Sequence, residues 1–247
     1  MKKLFTILCA VLITFSLSAQ RQGDTKFGLV AGMNAAYPVG DDMEDFIDEW
    51  EDDYIDHYDA NGIDAEGGVN PRIGMHLRAS FDYFLADNIA LSSGLIYSQK
   101  GFIQRQKVVM NDYYPGQDYT REIRIGTQLD YIDIPIGVKY VTDDGFEISG
   151  GLIVSKLASD NMKVDADFEP DDYYEDYYEE YDGDDYEDAY GDDPEETLTG
   201  FQAAVGYTFN EKFTISFKIQ KTSNFGEIND DDDNQNLTLQ LSTGISF

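Results

Sequence analysis

The sequence predicts an all-β protein: an eight-stranded antiparallel up-and-down transmembrane β-barrel with short periplasmic turns and long acidic extracellular loops. Three observations lead there. Eight segments alternate in character with a period of two, their connections alternate between short and long, and the acidic residues gather in the long ones. The chain has 247 residues, 49 Asp+Glu against 17 Lys+Arg and a formal charge of -32, yet 42% of it is hydrophobic and 14% aromatic. That apolar content excludes a wholly disordered acidic chain. The charge excludes nucleic acid as a partner, since phosphate binding needs clustered Lys and Arg. Cys9 is the only cysteine, which excludes a disulfide scaffold.

The N-terminus reads Lys2-Lys3, an apolar run from Leu4 to Leu17, then Ser18-Ala19-Gln20. This is the pattern of a secretory signal peptide, placed at 1–19, with the barrel domain at 20–247. The run is too short for a transmembrane helix. Cys9 lies inside it, with Ala10 to Leu17 still to follow, which argues against a lipid-anchored cysteine.

The strands follow in order. The first sets Phe27, Leu29, Ala31 and Met33 against Gly28, Val30, Gly32 and Asn34. The second sets Ile73, Met75, Leu77, Ala79, Phe81 and Tyr83 against Gly74, His76, Arg78, Ser80 and Asp82. In the third, Ile89, Leu91, Leu95 and Tyr97 oppose Ala90, Ser92, Gly94, Ser98 and Lys100. In the fourth, Ile132, Ile134, Ile136, Val138 and Tyr140 oppose Asp133, Pro135, Gly137 and Lys139. The fifth carries Phe146, Ile148, Leu152 and Val154 against Glu147, Ser149, Gly151 and Ser155. The sixth carries Phe201, Ala203, Val205, Tyr207 and Phe209 against Gly200, Gln202, Ala204, Gly206 and Thr208. Phe213, Ile215, Phe217 and Ile219 then oppose Thr214, Ser216, Lys218 and Gln220. Last, Leu237, Leu239, Leu241, Ile245 and Phe247 oppose Thr238, Gln240, Ser242, Gly244 and Ser246. Val30 and Ile153 break the pattern.

Leu85-Ala86-Asp87-Asn88, Thr142-Asp143-Asp144-Gly145 and Asn210-Glu211-Lys212 read as hairpin turns. The other connections are expected to be loops, at 37–69, 103–124, 159–197 and 223–235. They hold thirteen, three, nineteen and five acidic residues, forty of the forty-nine. The acidity therefore belongs to one end of the barrel.

The large apolar side chains are expected to face lipid. A lumen lined by Arg78, Asp82, Lys100, Asp133, Lys139, Glu147 and Lys218 fills with paired charges, which leaves the apolar face for the bilayer. Eight strands enclose a lumen just wide enough to be filled by side chains, so a small-solute channel requires an unfilled one.

Two stretches carry a resemblance. Leu95-Ile96-Tyr97-Ser98-Gln99-Lys100-Gly101 and Tyr131-Ile132-Asp133-Ile134-Pro135-Ile136-Gly137-Val138-Lys139-Tyr140 resemble the PorT-like outer-membrane β-barrel family. Phe27 to Asn34 and Gly206-Tyr207-Thr208-Phe209 extend the match. Where relatives often carry Glu, this chain has Gly94, so any lumen pairing through that position is absent. Phe247 is similar to the C-terminal aromatic that the outer-membrane assembly machinery recognises. The resemblance implies the outer membrane as location, after secretion across the inner membrane, with membrane lipid and the assembly machinery as partners. One relative takes part in type IX secretion, which implies an accessory secretion role as an alternative to a surface protein binding cations or an envelope partner.

The segment 171–182 alternates acids and tyrosines. Asp171, Asp172, Glu175, Asp176, Glu179 and Glu180 form a candidate Ca²⁺ site, since clustered carboxylates are hard oxygen ligands. The same segment suits docking of a basic protein or carbohydrate surface through its rings. A solvated, self-repelling, disordered loop is the plainer reading of the segment, ahead of either use. The stretch 56–66 fails as an EF-hand: aligning Gly62 puts His57 first and Gly68 twelfth. His76 reads as a hydrogen-bonded lumen residue rather than a catalytic base. No phosphate-binding glycine loop, zinc spacing or serine-hydrolase elbow is present, so no catalytic or cofactor-binding residue is assigned and no enzyme is expected.

Overall fold

Eight antiparallel strands close into one barrel in the order β1 to β8, each paired to its sequence neighbour and β1 paired to β8. The computed structural model describes residues 22–59, 63–114, 117–169, 196–223 and 235–247. The elements are β1 (Thr25–Val39), α1 (Asp41–Asp59), β2 (Asp64–Ala86), β3 (Ile89–Tyr114), β4 (Gln117–Val141), β5 (Phe146–Glu169), β6 (Thr197–Phe209), β7 (Phe213–Thr222) and β8 (Gln235–Ser246). The seam runs from Gly28↔Ser246 to Val39↔Gln235. Beyond it, the Phe247 amide donates to the Phe27 carbonyl at 2.8 Å, and the Phe247 carbonyl accepts from the Phe27 amide at 3.2 Å.

The period-two pattern has the orientation that the sequence predicts. Phe201 is 71% exposed and Leu241 62%, and the outer wall continues through Met75, Leu77, Ile136 and Phe213. Water does not favour so continuous an apolar belt; lipid does. Tyr83, Tyr140, Tyr207 and Phe209 stand on this wall towards the short-turn end, where amphipathic rings suit a membrane interface. The two residues that break the pattern, Val30 and Ile153, are buried on the lumen side. They are apolar filling in a polar interior.

The expected loops are corrected at three places. The segment 37–69 contains the end of β1, the whole of α1 and the start of β2. The segment 103–124 is nearly all strand, with β3 and β4 paired from Phe102↔Thr127 to Met110↔Tyr119. In 159–197, β5 continues to Glu169, which pairs with Thr120 of β4. Strands β2 to β5 therefore have 23 to 26 residues, whereas β6 to β8 have 10 to 13. About 9–11 residues cross a bilayer. The surplus of β2 to β5 stands beyond the apolar belt as a four-stranded sheet. Residues 1–19, expected as a signal peptide, and the six carboxylates from Asp171 to Glu180 lie outside the described residues.

Local features fit these long strands. Pro135 has no amide hydrogen to give, and the pairs expected at Gly94/Pro135 and Leu95/Ile134 are missing from the β3–β4 ladder. The Ser93 hydroxyl donates to the Pro135 carbonyl there, at 2.9 Å. Gly101 adopts φ 121°, and a Cβ at that position would lie 1.9 Å from the Thr127 carbonyl oxygen. Only glycine permits so close an approach of the two strands.

Candidate functional site

The lumen is stacked in layers from the short turns upward. Phe84, Ala90 and Val141 form an apolar floor. Above it, Asp82 bridges Lys139 at 2.5 Å and accepts a hydrogen bond from the Ser92 hydroxyl at 2.6 Å. Lys139 also reaches Glu147 at 3.7 Å, and the Thr208 hydroxyl donates to Glu147 at 2.5 Å. Higher up, Lys100 and Asp133 form an ion pair at 2.9 Å with both side chains 0% exposed. The Lys100 ammonium also donates to the Ser155 hydroxyl at 3.3 Å and lies 4.9 Å from the Tyr131 ring centre. Gln220 donates to the second Asp133 oxygen at 3.4 Å. Leu129, Tyr131 and Leu198, with Phe102 and Leu157, make an apolar layer around this pair.

The structure thus places five of the seven expected lumen charges in two ionic layers, and the other two, Arg78 and Lys218, line the same interior. Alternation puts them on one face, but only closure of the barrel pairs them. Lys26 joins them without having been expected there. It lies within Coulombic reach of Glu147, Lys139 and Asp82, and its signal in the sequence is that it shares the parity of Gly28 and Val30. His76 is buried and hydrogen-bonds the Ser242 hydroxyl at 2.8 Å through Nε2.

A second cluster marks the upper margin of the belt. Asp130 accepts hydrogen bonds from the Tyr97 hydroxyl and from the Gln128 amide, the latter at 3.0 Å. Arg72 donates to Gln128 at 2.5 Å and to the Lys100 carbonyl at 3.2 Å. These polar partners end the apolar face of β2 to β4.

Above this line the extended sheet carries a charged face. Glu122 accepts from Arg105 at 2.8 and 3.2 Å and from Arg124 at 2.7 Å. The Arg105 hydrogen bonds, with Arg124 behind them, hold the Glu122 carboxyl down to about 2. Lys107 faces Glu66 at 3.9 Å and Lys163 faces Asp165 at 3.0 Å. Such exposed pairs add little stability. They set a fixed charge pattern.

The helix α1 packs against this sheet. It holds eleven acidic residues in nineteen, with no Lys or Arg. Asp56 and Asp59 in its last turn oppose the helix dipole. What compensates is docking: Ile47 is buried, and Arg121 of β4 donates to the Tyr58 hydroxyl at 2.8 Å, its guanidinium 6.0 Å from the Tyr58 ring centre. The signal in the sequence is the row Met43, Phe46, Ile47, Trp50, Tyr54 and Tyr58, spaced mostly by three and four.

Arg121→Met is expected to weaken α1 docking by about 1–2 kcal/mol, the scale of one charged hydrogen bond with a cation–π contact. Amide exchange in 41–59 should speed up while exchange in the barrel strands stays unchanged; equal protection in both proteins would refute the contact. The dependence on pH has a definite sign. Burial, with Asp48 beside it, raises the Glu51 carboxyl above its usual range. A raised folded value means docking is strongest in acid and weakens as pH rises through that value. Protection factors in α1 should therefore fall as pH rises from below the ordinary carboxylate range, and a rise would contradict the raised Glu51 carboxyl.

No three His, Cys, Asp or Glu side chains gather for a metal among the described residues. None of the curated proteins matches the sequence. Solved structures with a similar barrel include the attachment invasion locus protein Ail of Yersinia pestis bound to the heparin analogue sucrose octasulfate, at 9% identity, 91% coverage of this chain, 99% of that one and a TM-score of 0.44. Neisserial surface protein A follows at 11% identity, 90% and 97% coverage and a TM-score of 0.38. OprG of Pseudomonas aeruginosa stands at 13% identity, 93% and 99% coverage and a TM-score of 0.36. The family model described as outer membrane protein beta-barrel domain matches residues 27–221, well over half the chain and all of β2 to β6. This chain belongs to that outer-membrane β-barrel family, and its place is the outer membrane.

Proposed function

We propose that this chain is a non-enzymatic outer-membrane surface protein whose working part is the platform of α1 and the extended β2–β5 sheet, together with the acidic connections. The observation that carries the reading is the inequality of the strands: four of them continue far past what a bilayer needs. A barrel that only had to sit in the membrane has no use for them. The platform, with the Tyr- and acid-rich segment 171–182 beside β5 in sequence, suits a partner with a basic surface. Divalent cations at Asp171, Asp172, Glu175, Asp176, Glu179 and Glu180 are a further use of that segment. The resemblance to PorT-like barrels supports a secretion component as the partner. A filled lumen, with Lys100 and Asp133 fully enclosed, weighs against a small-solute channel. The backbone pairing of Phe247 beside the seam suits its reading as an assembly signal.

The test uses Asp53→Cys on the exposed face of α1. A membrane-impermeant crosslinker on intact cells should trap one discrete envelope partner, and the adduct should diminish when Arg121→Met loosens the helix. Free labelling of the introduced thiol by maleimide with no adduct would sink the platform reading. Secretion subunits in the adduct would select the secretion role.

A further inference from the structure

Charge in the lumen does not balance. Among the described residues its wall carries the cations Lys26, Arg78, Lys100, Lys139 and Lys218 against the carboxylates Asp82, Asp133 and Glu147. The carboxylates are already engaged. Asp133 is held by Lys100 and Gln220, Asp82 by Lys139 and Ser92, and Glu147 by Lys139 and Thr208. Lys26, Arg78 and Lys218 form no ion pair among the described residues, although Arg78 lies within Coulombic reach of Asp82 and Glu147. Among the described residues the Lys218 ammonium, 4% exposed, has no hydrogen-bond partner, and neither has the Nε of Arg78. An uncompensated buried cation is costly, and two that repel each other are costlier.

Both line one cavity of about 40 Å³, together with the Lys139–Glu147 pair and the hydroxyls of Ser80, Ser92, Ser216 and Thr214. That volume holds roughly three water-sized centres, enough for a monatomic anion with a water and too little for a nucleotide or a sugar. We propose that this cavity binds one halide-sized inorganic anion, chloride in its natural setting, with Lys218 and Arg78 as the charged donors. The hydroxyls lining the cavity complete the coordination. The anion cancels half of the surplus charge and lets the interior stay closed between its two ionic layers. The site lies towards the short-turn end, above the apolar floor of Phe84, Ala90 and Val141.

The full chain refolded in detergent at neutral pH provides the test, with chloride itself as probe. Excess chlorine NMR linewidth should appear, saturate with added chloride and be displaced by bromide. In Lys218→Met the excess should fall by roughly tenfold. No excess linewidth over protein-free micelles, or an unchanged excess in Lys218→Met, would overturn the site. A readout on the wild-type chain covers the case in which the variant does not refold. Its unfolding midpoint, followed by heat-modifiable migration, should be higher in sodium chloride than in sodium gluconate at equal ionic strength, because a ligand of the folded state stabilises by mass action. Equal midpoints in the two salts would overturn it as well.

Discussion

Asp133→Ala is expected to destabilise the barrel by about 3–5 kcal/mol, because it strands the Lys100 ammonium without its carboxylate. Among the described residues, the remaining contacts of that ammonium are the Ser155 hydroxyl and the Tyr131 ring. Urea titration of the refolded protein in lipid vesicles measures the loss. The companion Lys100→Met should cost less, since Asp133 keeps Gln220 and loses only the cation. Joining it with Asp133→Leu should recover much of the stability, because two apolar residues in place of a buried pair leave no orphan charge. If Asp133→Ala unfolds at the same urea concentration as the wild type, the pair is not enclosed as described.

Leu241→Arg should cost about 2–4 kcal/mol, the penalty for a cation placed near the bilayer midplane on a lipid-facing strand. Leu241 points outward midway along β8, opposite Met33 and Phe217. The same change on an outer wall that met water would relieve an exposed apolar residue and cost nothing. Folding yield into vesicles and its urea midpoint decide between them. A variant that folds as well as the wild type would place this wall outside the hydrocarbon.

The part of the fold that lies in the bilayer was legible because lipid imposes strict alternation. Ile73 to Tyr83 and Phe213 to Gln220 admit only one assignment of faces. The continuation of the same strands was not legible, and for the same reason. Past Lys100, the run Ile103, Arg105, Lys107, Val109 against Gln104, Gln106, Val108 has no consistently apolar side, since its outward face meets water. The helix was hidden by its own acids: eleven in nineteen residues read as a solvated run, and the apolar stripe became meaningful only with a sheet to pack on. In the lumen, the identity of the charges followed from parity, but Lys139 with Asp82 and Gln220 with Asp133 are 57 and 87 residues apart. Such pairings depend on strand tilt and closure, which local pattern does not encode.

The seam between β1 and β8 has a kinetic consequence. Every other pairing joins strands adjacent in sequence, so the wall can grow hairpin by hairpin, each step closing only the loop between neighbours. The pairing of Gly28 with Ser246 requires both edges of a finished sheet to meet. Until then two unsatisfied edges remain, each a template for pairing with a foreign chain. Assembly of this protein should therefore be slow at one step only, and the hazard of misassembly belongs to the interval before that step.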